Sequence, residues 1–130
     1  MAMWRFNRPK SREVWDEAIA GPIGDIEAAH RIRQICRSVA GSAAKIGGAP
    51  DRSDAKLRLE RERYQAAAKA AMEIAIKVTD DLVRDAAVRQ IVELCLAAKD
   101  TRTARTLFRA IQSRSISDEV LRAHPSLRDE

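Results

Sequence analysis

The chain has 130 residues and a formal net charge of +5, and 18 of its 24 basic residues are arginine. This length predicts a single domain over residues 1–130. The chain has two cysteines, Cys36 and Cys95, which lie far apart in apolar contexts. Their number and spacing exclude a disulfide-rich scaffold, and we expect both to be small buried side chains. No stretch reaches the ~18 apolar residues of a membrane span, which excludes a transmembrane protein. Acidic residues offset most of the basic ones, which excludes a wholly basic nucleic-acid-binding protein.

The distribution of glycine and proline predicts the fold class. Residues 51–124 contain neither of them, and both break or end helices. Together with 23 alanines across the chain, this absence predicts an all-α fold, a small bundle or short array of about five helices with one long central helix. We expect residues 1–10 and 124–130 to be frayed ends.

Two helices are predicted in the first third of the chain. One covers about residues 11–20, and the next begins with Asp25 as its N-cap and ends near Ala40. Residues 41–52 hold three glycines and a proline, which predicts a flexible loop. The inward face of the second helix repeats with helical spacing at Ile32, Ile35, Cys36 and Val39.

The third predicted helix is the longest and covers about residues 54–78. Its apolar and small side chains recur with the seven-residue period of a coiled coil, with alanines where helices would approach most closely. These side chains form the predicted self-association stripe, which consists of Leu57, Tyr64, Ala68, Ala71, Ala75 and Val78. Residues 79–81 predict a break and a new helix start, although a continuous bent helix also fits the sequence.

Shorter helices follow. The fourth ends near Ala98, and the fifth covers about residues 102–113 after a turn at Asp100. Ser117 is the expected cap of a last short turn. The inward side chains of the fourth and fifth helices are Val88, Ile91, Val92, Cys95, Ala104, Leu107, Phe108 and Ile111.

Candidate chemistry is sparse. Glu27 and His30 have the Glu-x-x-His spacing of di-iron bundles, but the further glutamates and the second such pair are missing. Asp80, Asp81 and Asp85 cluster at a helix start, where capping explains them. The sequence contains no phosphate-binding glycine loop, dinucleotide fingerprint or nucleophile motif. We therefore expect no enzyme activity, no metal site and no cofactor.

Two helices carry basic faces. On each of them three side chains fall on one side, opposite the apolar residues. Such faces could bind phosphates or an acidic partner, or they could be the solvated side of an amphipathic helix. The candidate residues are His30, Arg33 and Arg37 on the second helix and Arg102, Arg105 and Arg109 on the fifth.

These observations predict a non-enzymatic protein–protein interaction or oligomerisation module of the bacterial cytoplasm, with no small-molecule substrate. Sparse large apolar side chains and the stripe on the third helix predict a homodimer about a two-fold axis, with another protein as the alternative partner. In the competing arrangement the second and fourth helices cover the stripe within one chain. The alternative function is a nucleic-acid-associated protein that uses the basic helix faces.

Overall fold

The computed structural model describes residues 13–16, 22–49, 55 and 57–128, and it confirms the all-α prediction. Five α-helices lie within these ranges, and none of the described residues forms a strand. Two three-residue 3₁₀ helices, Val14–Asp16 and Pro125–Leu127, flank them. The α-helices are α1 (Asp25–Gly48), α2 (Leu57–Ile76), α3 (Asp81–Ala97), α4 (Thr101–Ala110) and α5 (Arg114–Ala123).

Helices α1, α2 and α3 form the centre of the bundle, and α4 and α5 pack on α3. The first and third helices run parallel. Near their starts Asp25 accepts hydrogen bonds from Thr79 and Asp80, and near their ends Gly47 lies against the backbone of Ala97. Helix α2 is antiparallel to both, because the short connection between α2 and α3 reverses the chain.

Alanine and aliphatic side chains make up the core where these three helices meet. Ile32 on α1 and Ile91 and Val92 on α3 have no exposed surface, and neither do Ala67 and Ala71 on α2. The small side chains let the helix backbones approach closely, and the aliphatic ones fill the space beside them. Each buried aliphatic side chain contributes about 1.5–3 kcal/mol relative to an exposed one, so contacts among these helices hold the bundle together.

Helix α1 continues eight residues beyond its predicted end, so the loop predicted over residues 41–52 is wrong for residues 41–48. Glycine costs about 1 kcal/mol in a helix interior relative to alanine, but this segment packs on α2. Ser42 and Ile46 are buried, and the Ser42 hydroxyl donates a 2.7 Å hydrogen bond to Glu60. Tertiary packing therefore outweighs the weak local helix propensity.

The predicted break at residues 79–81 is confirmed, and a continuous bent helix is excluded. Asp80 is the N-cap of α3, and its carboxylate accepts a 2.9 Å hydrogen bond from the backbone N–H of Val83. The long helix predicted over residues 54–78 corresponds to α2, with 20 residues, and α1 is longer, with 24, because it continues to Gly48.

The boundary between α4 and α5 differs from the prediction. The helix predicted over residues 102–113 ends at Ala110, because a buried carboxylate on α3 binds backbone N–H groups of the following residues and keeps them out of the helix. Ser113 rather than Ser117 caps α5, and its hydroxyl accepts a hydrogen bond from the Ile116 N–H.

The two chain ends have different outcomes. Residues 1–10 lie outside the described residues, as does most of the helix predicted over residues 11–20, of which the 3₁₀ helix Val14–Asp16 is described. At the other end, Leu127 of Pro125–Leu127 is buried against the core. The prediction that the chain frays from residue 124 is therefore wrong up to residue 128, because burial of Leu127 fixes the tail.

Candidate functional site

An open groove runs between the parallel helices α1 and α3. Its central part has a volume of about 460 Å³. The floor is apolar, and charged side chains stand at the rim. The lining residues of this part are Arg33, Cys36, Arg37 and Ala40 on α1 and Arg89, Gln90, Glu93, Leu94 and Ala97 on α3.

The groove extends toward the starts of both helices. A second concavity of about 800 Å³ shares Arg33 with the first and is also lined by Ile26, Glu27, Ala29, His30 and Val83. We call the two together the α1–α3 groove. Its lining residues on α1 recur every three or four positions and so occupy one helix face. From residue 26 to residue 40 that face is about 21 Å long at 1.5 Å per residue.

Two large apolar side chains lie exposed near the starts of α1 and α3. Ile26 on α1 is 86% exposed and Leu82 on α3 is 61% exposed. Isolated exposed apolar residues are common on protein surfaces. Here Ile26 lines the groove at the start of α1, and Leu82 is the chain neighbour of the lining residue Val83.

The cysteine prediction is confirmed for one of the two residues. Cys95 is buried in the core, whereas Cys36 is half-buried and lines the α1–α3 groove. Burial, together with the neighbouring Cys95, raises the pKa of Cys36 to about 11, and burial likewise raises the pKa of Cys95 to about 11. Both thiols are therefore neutral at physiological pH and behave as small apolar groups.

The basic face predicted on the second helix coincides with the rim of the groove. His30, Arg33 and Arg37 are all exposed and line its two parts. Neither Arg33 nor Arg37 has an ion-pair partner among the described residues. In contrast, Arg89 on the opposite rim pairs with Glu93 and with Glu119 of α5. Glu27 on α1 also lines the groove, but the two unpaired arginines outnumber it, so the net charge of this rim is positive.

The second predicted basic face lies apart from this groove, on α4. Arg102 and Arg109 are exposed, whereas Arg105 is half-buried and its Nε atom is enclosed without a hydrogen-bond partner. Arg102 lines a different pocket, beside the turn between α3 and α4. The structure therefore does not bring the two predicted basic faces together into one site.

The predicted self-association stripe is not at the surface. All six of its side chains are at most 8% exposed, because α1 and α3 cover this face of α2 within one chain. The competing arrangement is thus the one that the structure has, and the prediction of an exposed stripe is wrong. The six residues are Leu57, Tyr64, Ala68, Ala71, Ala75 and Val78.

Two acidic residues predicted to cap helices instead connect distant parts of the chain. Asp25 is the first residue of α1, and its carboxylate accepts hydrogen bonds from the N–H and hydroxyl of Thr79 and from the N–H of Asp80, at 2.8–2.9 Å. The bond from the Thr79 N–H is the main reason that the pKa of Asp25 is lowered. Asp85 is 1% exposed and accepts from the N–H groups of Gln112 and Ser113.

The described residues contain no helix that combines the length and apolar character needed to cross a membrane. Within the same residues no three or more His, Cys, Asp and Glu side chains come together in a group that could hold a metal ion. Comparison with family models, curated proteins and solved structures gives no match for this chain.

Proposed function

We propose that this chain is a non-enzymatic protein–protein interaction module that binds an amphipathic helix of a partner protein in the α1–α3 groove. The observation that carries the proposal is an open groove with an apolar floor and two exposed, unpaired arginines on one rim. Helix-in-groove recognition requires these properties, since the apolar face of the bound helix is buried while its polar flank stays at the edge.

The dimensions of the groove fit one short helix. A face of about 21 Å corresponds to a partner segment of about 14 residues, or four turns. Cys36, Ala40 and Leu94 present an apolar floor along the centre. Near the start of α1, the exposed Ile26 lines the groove and would contact the last apolar side chain of the bound helix and remove it from water.

The charge of the rim indicates an acidic partner. Arg33 and Arg37 are one helical turn apart, so two carboxylates spaced three or four residues apart on a partner helix could pair with both at once. Glu93 on the opposite rim already has Arg89 and His124 nearby. On the α1 rim the two arginines outnumber Glu27, so the net charge there is positive. Complementary charge accelerates encounter and sets the orientation of the bound helix.

A designed peptide pair tests the proposal. The probe is a 16-residue helical peptide with a leucine stripe and two glutamates at positions i and i+4, and its counterpart carries lysines at those two positions. We expect the acidic peptide to bind with an affinity roughly 2–30-fold higher, since each of the two rim ion pairs contributes about 0.2–1 kcal/mol. Fluorescence anisotropy at low and moderate salt measures both affinities.

Matched variants connect the binding to this groove. The double variant Arg33→Glu/Arg37→Glu should reverse the peptide preference, whereas Arg58→Glu/Lys69→Glu makes the same charge change on the exposed side of α2 and should leave it intact. Ala40→Trp should block the groove, with Ala66→Trp on the exposed surface of α2 as its control.

Other partners would give different results. A homodimer would double the mass of 14.5 kDa at micromolar concentration in light scattering, although the buried stripe on α2 would not supply its interface. A nucleic-acid-associated protein would bind oligonucleotides with an affinity that falls steeply with salt. Either result, together with no peptide binding, would contradict the proposed function.

A further inference from the structure

A second pocket, separate from the α1–α3 groove, is lined by three basic side chains. It has a volume of about 430 Å³ and lies between α2 and the turn that joins α3 to α4. Arg61, Lys99 and Arg102 line it, together with the acidic Asp100. Arg61 already interacts with another group, which leaves Lys99 and Arg102 as the two cations available to a ligand. We call it the α3–α4 pocket.

The single acid in the α3–α4 pocket is already engaged by neutral groups. One oxygen of Asp100 accepts a 2.7 Å hydrogen bond from the Tyr64 hydroxyl, and the other accepts a 3.3 Å bond from the Thr103 N–H. Lys99 and Arg102 form no ion pair with it or with another described residue. Two cations at this pocket are therefore left without an anionic partner.

The backbone at Lys99 is unusual. Its φ angle is +62°, and no other non-glycine residue that the structure describes has a positive φ. It follows the C-cap of α3, a position at which glycine is the common residue because it adopts this conformation without strain. A cation elsewhere in the last turn of α3 would complement the helix dipole equally well. The dipole therefore does not explain a lysine at this particular position.

We propose that the α3–α4 pocket binds the phosphate group of a small phosphorylated molecule. Lys99 and Arg102 both line the pocket and are free to donate to phosphate oxygens, arginine and lysine are the side chains that recognise phosphate, and the volume lies within the range of small-molecule sites. The strained backbone at Lys99 is then the consequence of placing an ammonium group at the pocket, since residues in sparsely populated conformations cluster at functional sites. The Thr101 hydroxyl also lines the pocket.

The conformation of Lys99 makes a sharp test possible. Lys99→Gly removes the ammonium group and relieves the backbone, so phosphate affinity and stability should change in opposite directions. We expect inorganic pyrophosphate to bind the full chain in isothermal titration calorimetry, and Lys99→Gly and Arg102→Gln each to weaken it roughly tenfold or more. The melting temperature of Lys99→Gly should be equal to or higher than that of the wild type. Arg58→Gln, on the exposed surface of α2, is the control and should bind normally.

Several outcomes would overturn this inference. Absence of pyrophosphate binding to the wild type, or equal binding by Lys99→Gly, would remove the site. A lower melting temperature for Lys99→Gly would show that the lysine supports the fold. Binding of a single-stranded oligonucleotide without binding of pyrophosphate or of a nucleoside triphosphate would indicate a nucleic-acid surface in place of a small-molecule pocket.

Discussion

Replacing Asp85 with alanine should be among the most destabilising changes of a polar residue in this chain. Asp85 is 1% exposed, and its Oδ2 atom accepts hydrogen bonds from the N–H groups of Gln112 at 3.1 Å and Ser113 at 2.7 Å. Ser113 is the N-cap of α5. The carboxylate on α3 thus fixes both the end of α4 and the start of α5.

The magnitude follows from three contributions. Hydrogen bonds to a charged acceptor contribute about 1.5–3 kcal/mol each, which gives an upper limit of about 6 kcal/mol for two. Two effects offset part of this loss. The substitution removes a buried carboxylate whose Oδ1 atom has no partner among the described residues, which relieves the cost of burying it. Water can also reach the exposed Gln112 and replace one of the two hydrogen bonds. We expect the free energy of unfolding to fall by about 2–4 kcal/mol, and the melting temperature by roughly 6–20 °C.

Urea denaturation followed by circular dichroism measures this change. Asp81→Ala is the matched control on the same helix, because Asp81 is exposed and its one ion pair among the described residues is with Arg84, one turn away. Its cost should stay below about 1 kcal/mol. Asp85→Asn should fall between the two, since its amide oxygen can still accept both N–H groups. A loss of less than about 0.5 kcal/mol for Asp85→Ala would refute the role assigned to this carboxylate.

Two further predictions concern the contacts between α1 and its neighbours. Gly47→Ala would place a Cβ atom 2.0 Å from the carbonyl oxygen of Ala97 and should cost about 1–3 kcal/mol, whereas Gly41→Ala meets nothing within 4 Å and should stabilise α1 by about 0.5–1 kcal/mol; equal effects in urea denaturation would contradict this. Because hydrogen bonds from the Thr79 backbone N–H and its neighbours lower the pKa of Asp25, its stabilisation is complete above the ordinary pKa of 3.8 and is lost as the pH falls through the folded value. The difference in unfolding free energy between wild type and Asp25→Asn should therefore shrink on acidification, and a difference that stays constant from pH 7 to pH 2 would show that the Asp25 charge contributes nothing.

Helices can be predicted from the sequence wherever apolar residues recur with helical spacing and no glycine or proline interrupts them. The helical spacing of Ile32, Ile35 and Val39 predicts the buried face of α1, and these residues are buried. The sequence was insufficient for residues 41–48, where glycine is a local signal for a loop. This segment is held by tertiary contacts such as the hydrogen bond from Ser42 to Glu60, 18 residues away. The spacing of apolar residues along the sequence does not indicate such a contact.

The functional residues were predictable only as far as one helix face. The helical period places His30, Arg33 and Arg37 on a common side, but a groove exists only because α3 packs beside α1 in parallel. The seven-residue period of the stripe on α2 predicts a helix contact surface, and all six of its residues are buried. Its period does not say whether the contacting helix belongs to the same chain, and here α1 and α3 of the same chain occupy it.

The parallel pairing of α1 and α3 has a consequence for the order of folding. Asp25 and Thr79 are 54 residues apart, so this contact requires closure of a long loop, whereas α3 and α4 are joined by a three-residue turn. Loop closure costs more entropy as the loop grows, so α3 and α4 should pair before α1 docks. Asp25→Asn should then accelerate unfolding and leave the folding rate nearly unchanged in stopped-flow experiments, whereas Ala104→Gly within α4 should slow folding. If Asp25→Asn instead slowed folding and Ala104→Gly mainly accelerated unfolding, α1 would belong to the folding nucleus.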